Sequence, residues 1–203
     1  MNTVTVNGKT RTDLGKKATK AVRKDGGIPC VMYGAGDPVH FVTNHASVKK
    51  LIFTPEFQLA DISLDGKSQK AIIKSVQYHP VTENIEHIDF LALVDGKSVK
   101  VDLPVRFRGV SPGVLAGGRL TPAMRRVKVK TVPEALVNEL VLDISSMELG
   151  SAIRVRDIDP VEGLEIMSSP SIPVATVEVP RALRSAATAA AKEGEEGEAA
   201  EAE

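Results

Sequence analysis

The stretch IPCVMYGAGDPVHFVT, residues 28–43, decides the fold that the sequence predicts. Its two ends, residues 28–33 and 39–43, are rich in β-branched and aromatic residues, and the turn residues 34–38 (GAGDP) separate them. Two such runs joined by a cluster of Gly and Pro are typical of a β-hairpin. We therefore expect a hairpin here, and the neighbouring segments are interpreted around it.

A helix is predicted on the N-terminal side of the hairpin, after a first strand around Val4 and Val6. From Leu14 onward, apolar residues recur at helical spacing, and Gly26 with Gly27 provides a C-terminal stop. A helix with this spacing places three lysines on one solvent-facing side, namely Lys17, Lys20 and Lys24.

On the C-terminal side, Asn44 is a candidate cap for a short helix through residues 47–53, which Pro55 would end. Strands are predicted at residues 57–64, 70–76 and 86–93, and Asp95-Gly96 marks a change of character. Beyond it, short β runs alternate with Pro and Gly at residues 99–103, 105–107, 126–130, 139–144, 153–155 and 173–179.

These patterns predict a mainly β protein with some α structure (α+β), divided at about Gly96. Residues 1–95 are expected to form an N-terminal domain with short helices, and residues 96–180 an all-β domain. Residues 181–203 are low in complexity and rich in Ala and Glu, so we expect a disordered acidic tail.

Composition adds limits on the function. The chain has 203 residues, seven of them Phe or Tyr and none Trp, so its cores must consist mainly of Val, Ile and Leu. The net charge is zero, but residues 9–24 carry seven Lys or Arg against one Asp, and residues 181–203 carry six Glu against three basic residues. The basic segment is therefore a candidate for binding a polyanion.

The single cysteine, the polar N-terminal segment and the lack of an 18-residue apolar run predict a cytosolic protein.

Three catalytic or ligand-binding alternatives are weak. Cys30 with one of the four histidines could form a nucleophilic pair, but it lies in an apolar strand run. The Gly34-x-Gly36 pair precedes a strand, so no helix N-terminus would meet a phosphate. The segment from His79 to Asp89 contains five potential metal ligands, but their spacing matches no zinc pattern and a polar hairpin loop explains them equally well. No cofactor, metal or catalytic residue is predicted.

The basic segment has its own alternative, a lysine-rich solvated helix face without a ligand. Binding is favoured because its cations span both a loop and a helix, with Thr10, Thr12 and Thr19 as additional hydroxyl donors.

Residues 11–34, RTDLGKKATKAVRKDGGIPCVMYG, closely resemble the signature of the bacterial 5S ribosomal RNA-binding protein family that includes the general stress protein Ctc. A second segment, QYHPVT at 77–82 followed by HIDF at 87–90, resembles that family's QxHPVT and HxDF segments. Residues 101–109, VDLPVRFRG, and residues 113–118, GVLAGG, resemble the VxLPVxFxG and GVxxGG patterns of the long form of that family.

This resemblance implies an N-terminal β-barrel-like domain that binds 5S rRNA at loop E and the adjoining helix, a C-terminal β domain, and no catalysis. The partner implied is 5S rRNA in the large ribosomal subunit; the alternative is a stress-linked factor that binds the same RNA transiently. Carried over by position, the RNA-contacting residues are Arg11, Tyr33, His87 and Asp89, with Lys16, Lys17, Lys20 and Arg23 in support.

One departure from the family affects how the helix would bind. Many relatives have an Arg-rich helix, whereas this chain reads Lys20-Ala21-Val22-Arg23-Lys24. Lysine retains the charge but lacks the planar fork of arginine, so the helix is expected to contact phosphates as point charges.

The C-terminal domain also carries basic residues that are candidates for a second RNA-facing or ribosome-facing surface: Arg106, Arg108, Arg119, Arg125, Arg126, Lys128 and Lys130. The favoured interpretation for each residue is a solvated strand face offset by acidic neighbours.

Overall fold

A computed structural model describes residues 2–159 and 163–181. These residues form two compact units, the first containing residues 2–104, 128–139 and 163–167, and the second 105–127, 140–159 and 168–181. The units do not divide at a single point of the sequence, so the boundary near Gly96 stays a prediction. The predicted tail lies outside the described residues except for Arg181.

A closed six-stranded barrel forms most of the first unit. Its strands are β1 (Thr3–Thr10), β2 (Gly27–Tyr33), β3 (Val39–Asn44), β4 (Leu59–Leu64), β5 (Lys67–Tyr78) and β6 (Ile85–Ala92). They follow one another around the barrel in the order β1-β3-β2-β6-β5-β4, and parallel pairing of β1 with β4 closes it. Closure leaves no strand edge of the barrel unpaired, which removes a common site of aggregation.

The barrel interior is filled by alternate residues of each strand. Cys30 and Met32 of β2, Phe41 of β3, and Ile88 and Phe90 of β6 are buried in one core. The rings of Phe41 and Phe90 lie 5.7 Å apart between centroids. Since side chains alternate along a strand, the residues between these positions must lie on the outer face.

Two helices complete the barrel unit, α1 (Lys16–Lys24) and α2 (His45–Phe53). Helix α1 has no buried residue and packs against β2, whereas α2 adds Val48 and Leu51 to the core. Gly27 permits the close approach of α1, because a Cβ there would lie 2.8 Å from Cγ1 of Val42 and 3.1 Å from Cγ1 of Val22.

The remaining strands form two further sheets. The four-stranded sheet has the order β10-β7-β9-β12 and the three-stranded sheet β11-β13-β8. Their elements are β7 (Val99–Arg108), α3 (Pro112–Leu115), β8 (Arg119–Pro122), β9 (Arg126–Thr131), β10 (Leu140–Asp143), β11 (Ala152–Arg154), β12 (Leu164–Ile166) and β13 (Pro173–Glu178). In the described residues, no helix is long and apolar enough to cross a membrane.

The mainly β architecture and the hairpin are confirmed, since β2 and β3 pair antiparallel on either side of the predicted turn. The start of α1 was placed wrongly: Gly15 has φ +112°, which is incompatible with a helix, so Leu14 lies outside the helix and is 56% exposed. The prediction of two separate β runs at residues 99–103 and 105–107 is also wrong. Strand β7 runs through Pro104, because the fixed φ of proline suits extended backbone and only one donor is lost.

Gly34, which directly follows β2, provides a test of the barrel. Its φ of +113° is one that L side chains rarely adopt, and a Cβ would lie 2.8 Å from Cδ1 of Leu91 and 3.2 Å from the carbonyl oxygen of Ala92. We expect Gly34→Ala to lower the free energy of unfolding by about 1–3 kcal/mol, measured by urea denaturation. Gly36 in the same turn is the matched control, because a Cβ there meets nothing within 4 Å. Equal effects of the two substitutions would contradict the packing described.

Candidate nucleic-acid interface

The strand register brings distant sequence positions into one row on the outer face of the barrel. The backbone N–H of Arg11 donates to the carbonyl oxygen of His40 at 2.9 Å. His40 is the register partner of Val31, which in turn is the partner of Asp89. Arg11, His40, Val31 and Asp89 are called the outer row below, and all four are half-buried.

Tyr33 and His87 lie on the same outer face as the outer row. Tyr33 is two residues beyond Val31 on β2, and His87 is two residues before Asp89 on β6. Both are half-buried, and each alternates with residues that point into the core. Four of the predicted RNA-contacting residues, Arg11, Tyr33, His87 and Asp89, therefore share one face.

His87 and Asp89 are in direct polar contact. Nδ1 of His87 lies 2.8 Å from Oδ1 of Asp89, and their side chains are 21% and 26% exposed. The pair lacks hydrogen-bond alignment, and Nδ1 is buried without a hydrogen-bond partner among the described residues. The carboxylate thus lies beside the imidazole as a charge neighbour, while the pair stays accessible from solvent.

Helix α1 is attached to this face through two arginines. Nη1 of Arg11 donates to Oγ1 of Thr19 at 3.3 Å, and that hydroxyl donates to the carbonyl oxygen of Gly15 at 2.8 Å. Nε of Arg23 donates to the carbonyl oxygen of Glu86 at 3.0 Å, next to His87. Arg23 therefore has a structural contact in addition to its predicted supporting role.

The helical lysines lie where the pattern predicted. Lys16, Lys17, Lys20 and Lys24 are all exposed, and the last turn contains no acidic residue. The structure thus places exposed cations beside a face of half-buried polar groups.

Buried polar atoms without partners are concentrated on this face. In the described part of the chain, five buried side-chain nitrogen or oxygen atoms lack a hydrogen-bond partner, and three of them are Nε of Arg11, Nδ1 of His40 and Nδ1 of His87. An unsatisfied buried polar group costs about 1–3 kcal/mol, so such groups need an explanation. A ligand that supplies hydrogen bonds on this face would provide one.

His40 is a candidate site residue that the sequence interpretation missed. The signal was present, because the predicted hairpin pairs residues across its turn and His40 alternates with the apolar Phe41. Arg11 could not be placed beside it from the sequence, since that contact depends on the pairing of β1 with β3.

The basic residues of the second half of the chain have acidic neighbours at two positions at least. Lys130 Nζ lies 3.3 Å from Oε2 of Glu165, and Arg108 is the register partner of Asp143. Hydrogen bonds from the hydroxyl and backbone N–H of Ser145, assisted by the charge of Arg108, hold the pKa of Asp143 below its ordinary value. These contacts favour the interpretation of a solvated strand face.

The segment from His79 to Asp89 is a hairpin with a polar loop. Nδ1 of His79 accepts from the backbone N–H groups of Val81 and Thr82, at 3.2 Å each. The backbone N–H of His79 donates to the carbonyl oxygen of Asn84 at 2.8 Å, and Glu83 donates back to His79. Within residues 2–159 and 163–181, no three His, Cys, Asp or Glu side chains are grouped so that they could hold a metal.

Cys30 is fully buried in the barrel, and burial raises the pKa of its thiol to about 12. A thiol with this pKa is protonated at neutral pH, and the thiolate is the nucleophilic form. The burial agrees with the interpretation of a core residue.

Cys30 also provides a test of barrel closure. We expect the native protein at pH 8 to react with a thiol-specific chromogenic disulfide at least about 100-fold more slowly than a free thiol, because both exposure and the thiolate are lacking. The same protein in concentrated guanidinium chloride should react at the rate of a free thiol. Rapid reaction of the native protein, with no unfolding detected by circular dichroism, would contradict the buried position.

Comparisons with known proteins give one consistent result. Residues 6–90 match the model of the Ribosomal L25p family, and residues 98–181 match that of the Ribosomal protein TL5, C-terminal domain. The chain is 41% identical over 184 residues to the large ribosomal subunit protein bL25 of Porphyromonas gingivalis, covering 90% of this chain and 95% of the relative. It is 38% identical over 187 residues to that of Bacteroides thetaiotaomicron, with the same coverage.

Proposed function

Because the chain belongs to the Ribosomal L25p family, we propose that it is a structural constituent of the bacterial large ribosomal subunit that binds 5S rRNA at loop E and the adjoining helix. Its relatives are named as proteins of that subunit, and this supports a ribosomal location in the cytoplasm. Membership of this family agrees with the expectation that the chain is not an enzyme.

The observation that carries the RNA-binding proposal is the outer face itself. It presents Arg11, His40 and His87 with one buried unpartnered nitrogen each, flanked by the lysines of α1. Sequence-specific contacts to RNA are made mostly where the helix is irregular, through base edges and 2′-hydroxyls. A face of half-buried donors suits a distorted, shallow groove such as that of loop E.

Arg11 and His87 are proposed as recognition residues, and Asp89 as a residue that acts mainly through His87. A carboxylate beside RNA is unfavourable unless it accepts a hydrogen bond or stabilises a cation. The 2.8 Å contact with His87 supports a role in which Asp89 orients the imidazole. Tyr33 adds a half-buried phenol on the same face.

The helical lysines are proposed to contact phosphates. Exposed ammonium groups on flexible side chains act as point charges, and phosphate contacts fix register without reading sequence. The two arginines that tie α1 to the barrel hold these lysines beside the recognition residues.

The recognition set is tested by gel-shift binding of the full chain to isolated 5S rRNA. We expect Arg11→Ala and His87→Ala each to weaken binding by about 1–3 kcal/mol, because each removes a specific contact. Lys70→Gln is the matched control: Lys70 is exposed on β5, seven residues from Gln77, which is the register partner of His87. Unchanged affinity in both alanine variants would refute the site assignment.

The helix is tested by salt dependence. We expect Lys17→Gln with Lys20→Gln to reduce the slope of log affinity against log salt by about 1.5, since each lost phosphate contact removes about 0.7–0.9. Discrimination between 5S rRNA and a loop E variant should stay unchanged. A loss of discrimination with no change in slope would show that these lysines read bases.

A further inference from the structure

Helix α2 begins at the end of the β2–β3 hairpin near which α1 ends. Asn44, which immediately precedes α2, is the register partner of Gly27, and Gly27 lies three residues after the last residue of α1. The two helices therefore flank the same end of the β2–β3 hairpin. A ligand that covers the C-terminal end of α1 therefore lies at the end of the hairpin where α2 begins.

One side of α2 is buried, and the opposite side carries cations and rings. Val48 and Leu51 face the core. His45, Lys49 and Phe53 follow one another at intervals of four residues, which places them on one helix face, and all three are exposed.

The exposed ring of Phe53 is the notable feature of this face. Its exposure is 59%, and its centroid lies 6.2 Å from that of His45. A single exposed apolar residue is ordinary in soluble proteins. Here the ring is held beside a second ring and shares a nine-residue helix with Lys49 and Lys50, which are both exposed.

The charged side chains of α2 are all positive. The sequence of α2, HASVKKLIF, contains two lysines and no acidic residue. Glu56 follows three residues after the helix and is within hydrogen-bond distance of Asn2, whose Nδ2 donates to its Oε2 at 3.4 Å. A polyanion that carries flat aromatic groups is the ligand class that fits two lysines and an exposed ring.

We propose that this face of α2, defined by His45, Lys49, Lys50 and Phe53, is a second RNA-contact surface that binds an unpaired nucleotide of the RNA held by the barrel. The base stacks on the ring of Phe53, and Lys49 and Lys50 contact the flanking phosphates. An unpaired nucleotide is required, because bases within a duplex are already stacked on each other. The inference rests on the proposed function, since it extends the same RNA footprint from α1 to α2.

The experiment measures binding of the full chain to 5S rRNA across a salt series. Phe53→Leu removes the ring but keeps an apolar side chain, and Phe53→Tyr keeps the ring. We expect Phe53→Leu to weaken binding about fivefold or more, and Phe53→Tyr to stay within about twofold of the wild type. Lys49→Gln with Lys50→Gln should reduce the salt slope by about 1.5. Both lysines and Phe53 are exposed, so thermal unfolding should be unchanged.

The outcomes separate this inference from the proposed function. If Arg11→Ala weakens binding while Phe53→Leu and the double lysine variant bind like the wild type, the α2 surface is refuted and 5S rRNA binding stands. If the wild type binds 5S rRNA no better than an unrelated RNA, both are refuted. If Phe53→Leu lowers the unfolding temperature, its loss of binding no longer tests the contact, and the salt slope of the Lys49→Gln, Lys50→Gln variant is used instead. An unchanged slope in that variant overturns the inference.

Discussion

Strand β2 is hydrogen-bonded on both sides, antiparallel to β3 and parallel to β6, and the rest of the barrel unit depends on this double pairing. It fixes which residues lie beside each other across three strands. Because Cys30, Phe41 and Phe90 are committed to the core, the intervening residues have only the outer face available. A one-residue slip of β2 would bury Val31 and Tyr33 in place of Cys30 and Met32, so the core enforces the arrangement of the surface.

The same constraint explains why α1 matters although it buries no residue. A nine-residue helix is marginal by itself, so its position must come from contacts with the barrel. Arg11 reaches it from the end of β1, and Arg23 reaches from it to the start of β6. These two residues belong to the basic segment, which therefore provides both the attachment of the helix and its exposed charge.

Some secondary-structure elements could be predicted from local patterns in the sequence. The hairpin follows from its turn residues, and the helical lysines from their spacing. Leu14 was included in the helix because its spacing fits, whereas the positive φ of Gly15 means that the helix begins only at Lys16. Strands β8 and β12 were missed, since they are too short to show a period and each contains only one β-branched residue.

Prediction of the candidate site from the sequence was limited in a similar way. The candidate residues came from a resemblance, and none of the patterns could place Arg11 and Asp89 in one row, because that row depends on pairings between strands far apart in sequence. His40 belongs to none of the recognised motifs, and only the strand register identifies it as a candidate site residue. The burial of Cys30 could be predicted from its apolar neighbours. The size of its pKa shift depends on the closed barrel around it.

The distribution of unsatisfied atoms indicates how such a surface would divide affinity and specificity. Lysines on α1 keep their hydration until a phosphate arrives, so they contribute charge attraction that salt weakens. Nε of Arg11 and Nδ1 of His40 are already removed from solvent without a hydrogen-bond partner, and each costs the free protein about 1–3 kcal/mol unless water or RNA supplies one. An RNA that satisfied both would gain that free energy, while one whose groove has a different shape would leave the cost in place. In the proposed complex, specificity on this face would therefore depend on groups that the barrel holds in unfavourable surroundings, rather than on its most strongly charged residues.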